Sequence, residues 1–158
     1  MPKNELDKVD YEILHHLQND ARITNAELAN RVCLSPSPCL RRVKNLEEAN
    51  IIQRYTAIVD PKAVGLPISV VVNVSMTNQE RSHLNFFEKH LSECEEVMEA
   101  YLMTGNTDYM LRIVVPDIEA YERFLFDKLT PIPGVTDIKS SFALKQLVGR
   151  TELPLTRS

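Results

Sequence analysis

The sequence predicts an α+β chain of two small domains, a helical one followed by one that alternates strands and helices. Three observations carry this. Apolar residues recur every three or four positions through residues 8–48, and then every second position from Ile68 to Met76. Two helix-start signals, at Thr24 and Ser35, stand close together. Residues 63–79, the longest charge-free run, mark the changeover; they alternate rather than staying apolar, so they do not read as a membrane span. At 158 residues, 44% hydrophobic and 25% charged, the chain has room for two such domains.

The first helix starts at an Asp7 cap, has Asp10 three residues on, and turns Val9, Ile13, Leu14 and Leu17 to one face. Ile23, Thr24 and Glu27 then form a capping box with a hydrophobic staple onto Leu28, which starts a short helix over about 25–32. Only Cys33 and Leu34 separate it from Ser35, an N-cap followed by Pro36 and Pro38 in a first turn where missing N–H groups cost nothing. In this third helix, predicted to end near Asn50, Cys39, Val43 and Leu46 face inward. Ser37, Arg41, Arg42, Lys44 and Asn45 fall largely on the other side. Two helices joined this tightly describe a helix-turn-helix, whose second member enters the major groove of DNA. The segment IIQRYTAIVDP (51–61) reads as a strand or short wing stopped by Pro61, so residues 1–60 are predicted to be a winged helix-turn-helix.

Charge supports that reading locally. The chain carries a net −4, yet residues 31–44 hold Arg31, Arg41, Arg42 and Lys44 and no acidic side chain. Across residues 1–60 eight basic residues face nine acidic ones, too balanced for strong non-specific binding by a monomer, so a dimer presenting two such helices is expected. The expected contacts to phosphates and base edges are Ser35, Ser37, Arg41, Arg42, Lys44 and Asn45, with Thr24 and Asn25 touching the backbone. Arg42 is the expected base reader.

Past a linker over 61–67, Ile68, Val70, Val72, Val74 and Met76 form a strand with one buried face. A helix from about Gln79 to Leu91 follows, then a strand over 97–103, turn material at Gly105 and Asn106, and a strand over 108–115. Asp117 caps a helix with Ile118, Tyr121, Phe124, Leu125 and Leu129 inward. Pro131, Pro133 and Gly134 break it, and residues 135–148 supply a last strand with Ile138, Phe142 and Leu144 on one face. The order βαββαβ predicts a ferredoxin-like domain over 68–148, followed by a tail over 149–158. Val71, Val114, Ala143 and Leu147 are expected on its uncovered sheet face, to be buried against another subunit.

Cys33, Cys39 and Cys94 lack metal-ligand spacing, and Cys33 and Cys39 are expected to fill core space. His15, His16, His83 and His90 form no catalytic or metal-binding set, and no phosphate-cradling glycine motif is present. No catalytic residue, metal or cofactor is therefore expected. The first ten residues have no apolar stretch of a leader, which leaves the cytoplasm as the expected location.

The stretches LDKVDYEIL, ITNAELANRVCLSPSPCLRRVKNLEEANII, TGNTDYMLRIVVPD, IPGV and SSFALKQL make nearly the whole chain resemble the Lrp/AsnC (leucine-responsive and asparagine-responsive) family of transcription regulators. The resemblance implies binding to double-stranded DNA, dimers that assemble into octamers or related discs, and a small effector, usually an amino acid, bound between neighbouring subunits. Carried over by position, the effector site draws on Thr104, Gly105, Asn106, Asp108 and Tyr109, and on Ser140 and Ser141. Beside the resemblance, Gly105 permits close backbone approach, neighbouring N–H groups can hold a carboxylate, and Asp108 can pair an ammonium. The tail looks closest to regulators of amino-acid catabolism, including cysteine, proline and branched-chain systems. The alternatives are an enzyme resembling siroheme decarboxylases, which share this fold combination, and an interaction module without DNA binding.

Overall fold

The computed structural model describes residues 6–77 and 81–155, and their order is ααα followed by βαββαβ. Residues up to Ile58 together with those from Leu147 on form one compact unit; Val59–Gln146 form the other.

In the first unit, α1 is Lys8–Asn19, α2 is Asn25–Arg31 and α3 is Pro36–Glu48. Asp7 and Asp10 close a reciprocal capping box at the start of α1. Ile13, Leu14, Leu28, Ala29, Val32, Cys39 and Leu46 are buried together, with Ile23 and Val43 packed against them. The tail contributes here too. Leu155 packs on this core, and the Gln18 amide bonds both backbone groups of Leu153, donating to its C=O at 3.3 Å and accepting from its N–H at 2.7 Å.

The turn between α2 and α3 is tight because α2 ends in a Schellman motif. Cys33 N–H donates to Asn30 C=O and Leu34 N–H to Ala29 C=O, with Cys33 in the left-handed region at φ 55°. Cys33 is therefore exposed, not in the core where it was expected; Cys39 is fully buried. Asn50, at φ 56°, plays the same part after α3, with Ile51 N–H reaching back to Leu46 C=O. The strand expected over 51–61 is not formed. A strand needs a ladder partner, and none among the described residues supplies one. The segment is instead held by Tyr55, whose hydroxyl donates to Glu47 at 2.8 Å. Partial burial and the Glu47 carboxylate push the Tyr55 phenol up to about 12.

The second unit has β1 (Ile68–Met76), α4 (Arg81–Ser92), β2 (Val97–Leu102), β3 (Tyr109–Val115), α5 (Ile118–Arg123) running into a π-helical turn (Phe124–Leu129), and β4 (Val135–Phe142). The expected helix start at Gln79 lies outside the described residues. The sheet is antiparallel with order β2-β3-β1-β4, the ferredoxin-like arrangement. Val70, Val72 and Val74 of β1 and Leu111, Ile113 and Val115 of β3 bury one face against Phe87 and Leu91 of α4 and Tyr121, Phe124 and Leu129. On the other face Val114 is buried and Val71 half-buried, beside the ion pairs Arg112–Glu99 and Lys139–Asp137.

β4 is shorter than the expected 135–148. Its register with β1 brings Ala143 N–H to Ser69 C=O, and the next hydrogen-bonded pair would fall on Pro67, which has no N–H. Pairing stops there. Leu144, expected on one face with Ile138 and Phe142, is fully exposed, Phe142 is itself exposed and Ile138 half-buried, and Ala143 and Leu147 lie beyond the strand, also exposed.

Candidate functional site

The first cluster lies on α3. Its exposed front carries Ser37, Leu40, Arg41 and Lys44, the i, i+3, i+4, i+7 pattern of one helix face. Arg41 and Lys44 make no ion pair among the described residues. Asn45 is exposed but lines a groove of about 280 Å³ beside this front, together with Arg41, Asp10 and Ile51. Ser35 takes the N-cap position, yet its hydroxyl makes no capping bond. The usual donors sit at the second and third helical positions, and the third is Pro38, which has no N–H.

Arg42 is not on the front. Its Nη1 donates to Asp7 Oδ2 and Asp10 Oδ1, both at 2.8 Å, which turns the guanidinium back onto the start of α1. Those two bonds raise the Arg42 pKa, Asp10 contributing more. Asp7 is held below the ordinary carboxylate range, first by the Asp10 N–H and further by Arg42. Both bonds leave from Nη1, so Arg42, the expected base reader, is turned toward the start of α1 in the free chain, while Arg41 holds the outward position.

Thr24 and Asn25 are also committed within the unit. Thr24 Oγ1 accepts from Glu27 N–H at 3.2 Å and donates to the Glu27 carboxylate at 3.4 Å, so the reciprocal half of the box runs to the hydroxyl instead of the backbone. Asn25 Nδ2 donates to Pro36 C=O at 2.9 Å, fastening the first turn of α2 to the first turn of α3. Thr24 thus fixes the start of α2, and Asn25 ties that start to α3.

The second cluster lies on the sheet unit. Thr104, Gly105 and Asn106 form the exposed tip of the β2–β3 hairpin, closed by Met103 N–H donating to Asp108 C=O at 2.8 Å. Gly105 has φ 125°, and nothing lies within 4 Å of where a Cβ would stand, so open space surrounds the backbone there. Asp108 fastens the hairpin to the end of β1: its N–H donates to Val74 C=O at 3.0 Å and its Oδ2 accepts from Met76 N–H at 2.7 Å. Tyr109 points away from the tip. Its ring is buried 4.5 Å from Phe87, its hydroxyl reaches Glu88 at 3.4 Å, and burial raises its pKa. It borders a cleft of about 320 Å³ between α4 and β2, shared with Glu88, Leu91, Met98 and Leu102.

Ser140 and Ser141 alternate across β4 and cannot face one cavity of a single chain. Ser140 bonds the Tyr121 hydroxyl on the helix side, whereas Ser141 opposes Val71 on the uncovered face. β4 and β2 are opposite edges of the sheet, three strand spacings or roughly 14 Å apart. Among the described residues no cluster suited to a metal ion occurs, and no helix is long and apolar enough to cross a membrane.

Sequence profiles match both halves: "Winged helix-turn-helix DNA-binding" over residues 6–53 and "Lrp/AsnC ligand binding domain" over residues 69–153. The chain is 46% identical to the Bkd operon transcriptional regulator of Pseudomonas aeruginosa, over 96% of its own length and 99% of the relative's. It is 37% identical to the leucine-responsive regulatory protein of Escherichia coli, over 92% and 89%. Among solved structures it resembles a transcriptional regulator of Neisseria meningitidis in complex with L-Met, with TM-score 0.90, 41% identity and coverage of 95% and 97%. It also resembles Escherichia coli AsnC, with TM-score 0.85, 26% identity and coverage of 94% and 98%. These relatives are regulators rather than enzymes, so the decarboxylase alternative is set aside. With a reading head and a ligand-binding sheet unit in the same order along nearly the full length of such relatives, the chain belongs to the Lrp/AsnC family of transcriptional regulators.

Proposed function

We propose that the chain regulates genes of amino-acid metabolism by placing α3 in the major groove of its own upstream DNA, in the cytoplasm. The observation that carries this is the pair Arg41 and Lys44, exposed on the second helix of a helix-turn-helix and making no ion pair among the described residues. Arg41 takes the base-reading role, bidentate to guanine; Lys44, Ser35 and Ser37 hold phosphates, and Asn45 reaches the backbone beside them. Asn25 holds the pair of helices at the docking angle, and Thr24 caps the first of them.

An amino acid is the effector, a reading supported by the L-Met complex of the Neisseria regulator. Backbone N–H groups at Thr104, Gly105 and Asn106 take its carboxylate, and Asp108 takes its ammonium. A carboxylate has about four lone-pair sites, so Asp108 can hold Met76 N–H and still accept from an ammonium. Tyr109 braces the hairpin from the core. Ser141, on the uncovered face of β4, enters the same pocket from a second subunit, since its edge is remote from the hairpin tip, while Ser140 steadies β4 from the helix side through Tyr121; this favours a homodimer that assembles further into an octamer or similar disc.

The test is a gel shift on the gene's upstream DNA at near-physiological salt, with each amino acid in turn. Specific retardation altered by one amino acid is the expected outcome. Retardation no stronger than on scrambled DNA, under every condition, would overturn the reading.

A further inference from the structure

We infer that Leu40 is a specificity-determining residue that reads a thymine methyl group in the major groove, an inference that rests on the DNA-binding reading above. Leu40 is 44% exposed at the centre of the α3 front, between Ser37 and Lys44 and beside Arg41. The core does not need it: Cys39 is fully buried, Leu46 nearly so, and Val43 packs against them, which closes the inward face of α3 without Leu40. An isolated exposed leucine is ordinary on a protein surface. This one stands on the face that presents Arg41 and Lys44, neither of which makes an ion pair among the described residues, while Arg42 lies to the side of that face and bonds Asp7 and Asp10.

The arrangement matches what a groove floor offers. From Ser37 to Lys44 the helix rises about 10 Å, the depth of three base pairs, and Leu40 and Arg41 are about 1.5 Å apart along the axis. A guanidinium pairs with guanine O6 and N7, and the apolar group that a base pair presents in the major groove is the C5-methyl of thymine. Leu40 beside Arg41 therefore specifies a T·A pair at or next to the G·C pair that Arg41 reads. Contact with the methyl covers both apolar groups, a gain unavailable to Leu40 in the free chain.

The experiment uses the full chain and the shortest upstream duplex that it protects from nuclease. Each thymidine in turn is replaced by deoxyuridine, which lacks only the methyl. At one position per half-site, replacement is expected to weaken wild-type binding about four-fold, the worth of one buried methyl. Leu40→Ala is expected to lose a similar factor on thymidine DNA and to be indifferent to deoxyuridine there, while Leu40→Met retains the preference. Equal binding of both duplexes at every position, or a Leu40→Ala protein that still prefers thymidine, would overturn the inference while leaving DNA binding intact. A wild-type chain that protects no upstream duplex would remove the DNA-binding reading and this inference together.

Discussion

The side chains proposed for DNA come from residues 24–45, a single run folded as two helices and a turn within one unit of one chain. Those proposed for the effector divide between residues 104–109, at the β2–β3 hairpin, and Ser141 on β4, the strand at the sheet edge opposite β2. With these roles, the two proposed activities would depend differently on assembly. A lone chain already presents a whole reading surface, whose affinity a second copy multiplies. In the proposed assembly a lone chain would present only half an effector pocket, which would make ligand binding and subunit association linked equilibria.

The largest effects should test whether the two units hold separate cores. Phe124→Ala empties a fully buried position of the sheet unit and should cost about 3–5 kcal/mol there, leaving amide exchange in α1 and α3 unchanged. Leu46→Ala should do the reverse, costing about 2–5 kcal/mol in the helical unit. Exchange that rises in both units in either variant would break the comparison.

Next in size is the contrast between neighbouring arginines. Arg41→Ala should lose roughly 1–3 kcal/mol of specific affinity and relax discrimination between operator and scrambled DNA in a binding titration. Arg42→Ala should preserve discrimination. Its bonds to Asp7 and Asp10 are partly exposed, so their loss should lower stability by no more than about 1 kcal/mol after allowance for solvent screening. The reverse pattern would return the base-reading role to Arg42.

The same contact has a pH signature. The Asp7 carboxyl titrates below its ordinary range in the folded chain, so its contribution is present at neutral pH and is lost as pH falls from about 4 through that lowered value. Denaturant midpoints of wild type should therefore drop more steeply below pH 4 than those of Asp7→Asn. Parallel curves would show that Asp7 contributes nothing there. The smallest effect concerns Cys33, which pays for a left-handed φ of 55° that glycine adopts freely. Cys33→Gly should raise the stability of the helical unit by about half a kcal/mol; a loss would show that its side chain packs usefully.

Much of this was legible in the sequence because its signals are local. Asp7, Thr24 and Asp117 announce helices through bonds to residues three positions on. The alternation of β1 similarly names its buried face. What the sequence hides is set by distant partners. Helical spacing alone sets Arg42 to the side of the stripe formed by Ser37, Leu40, Arg41 and Lys44, but the carboxylates that hold it there, Asp7 and Asp10, lie 35 and 32 positions away and are not named by that spacing. Pro67 ends β4 from across the sheet, and strand order alone separates Ser140 and Ser141 from the hairpin. Leu40 was readable from its spacing to Ser37 and Lys44, but apolar type suggests core until burial is known.

The most direct test of the two-chain pocket is complementation between two effector-deaf proteins. Asp108→Asn removes the charge from the hairpin half, and Ser141→Ala alters the β4 half; each alone should bind DNA without responding to the amino acid. Mixed and allowed to exchange subunits, they should regain part of the response in a gel shift, because some pockets then join an intact hairpin from one chain to an intact β4 from another. A mixture as unresponsive as its components, or a full response from either protein alone, would contradict a pocket shared between chains.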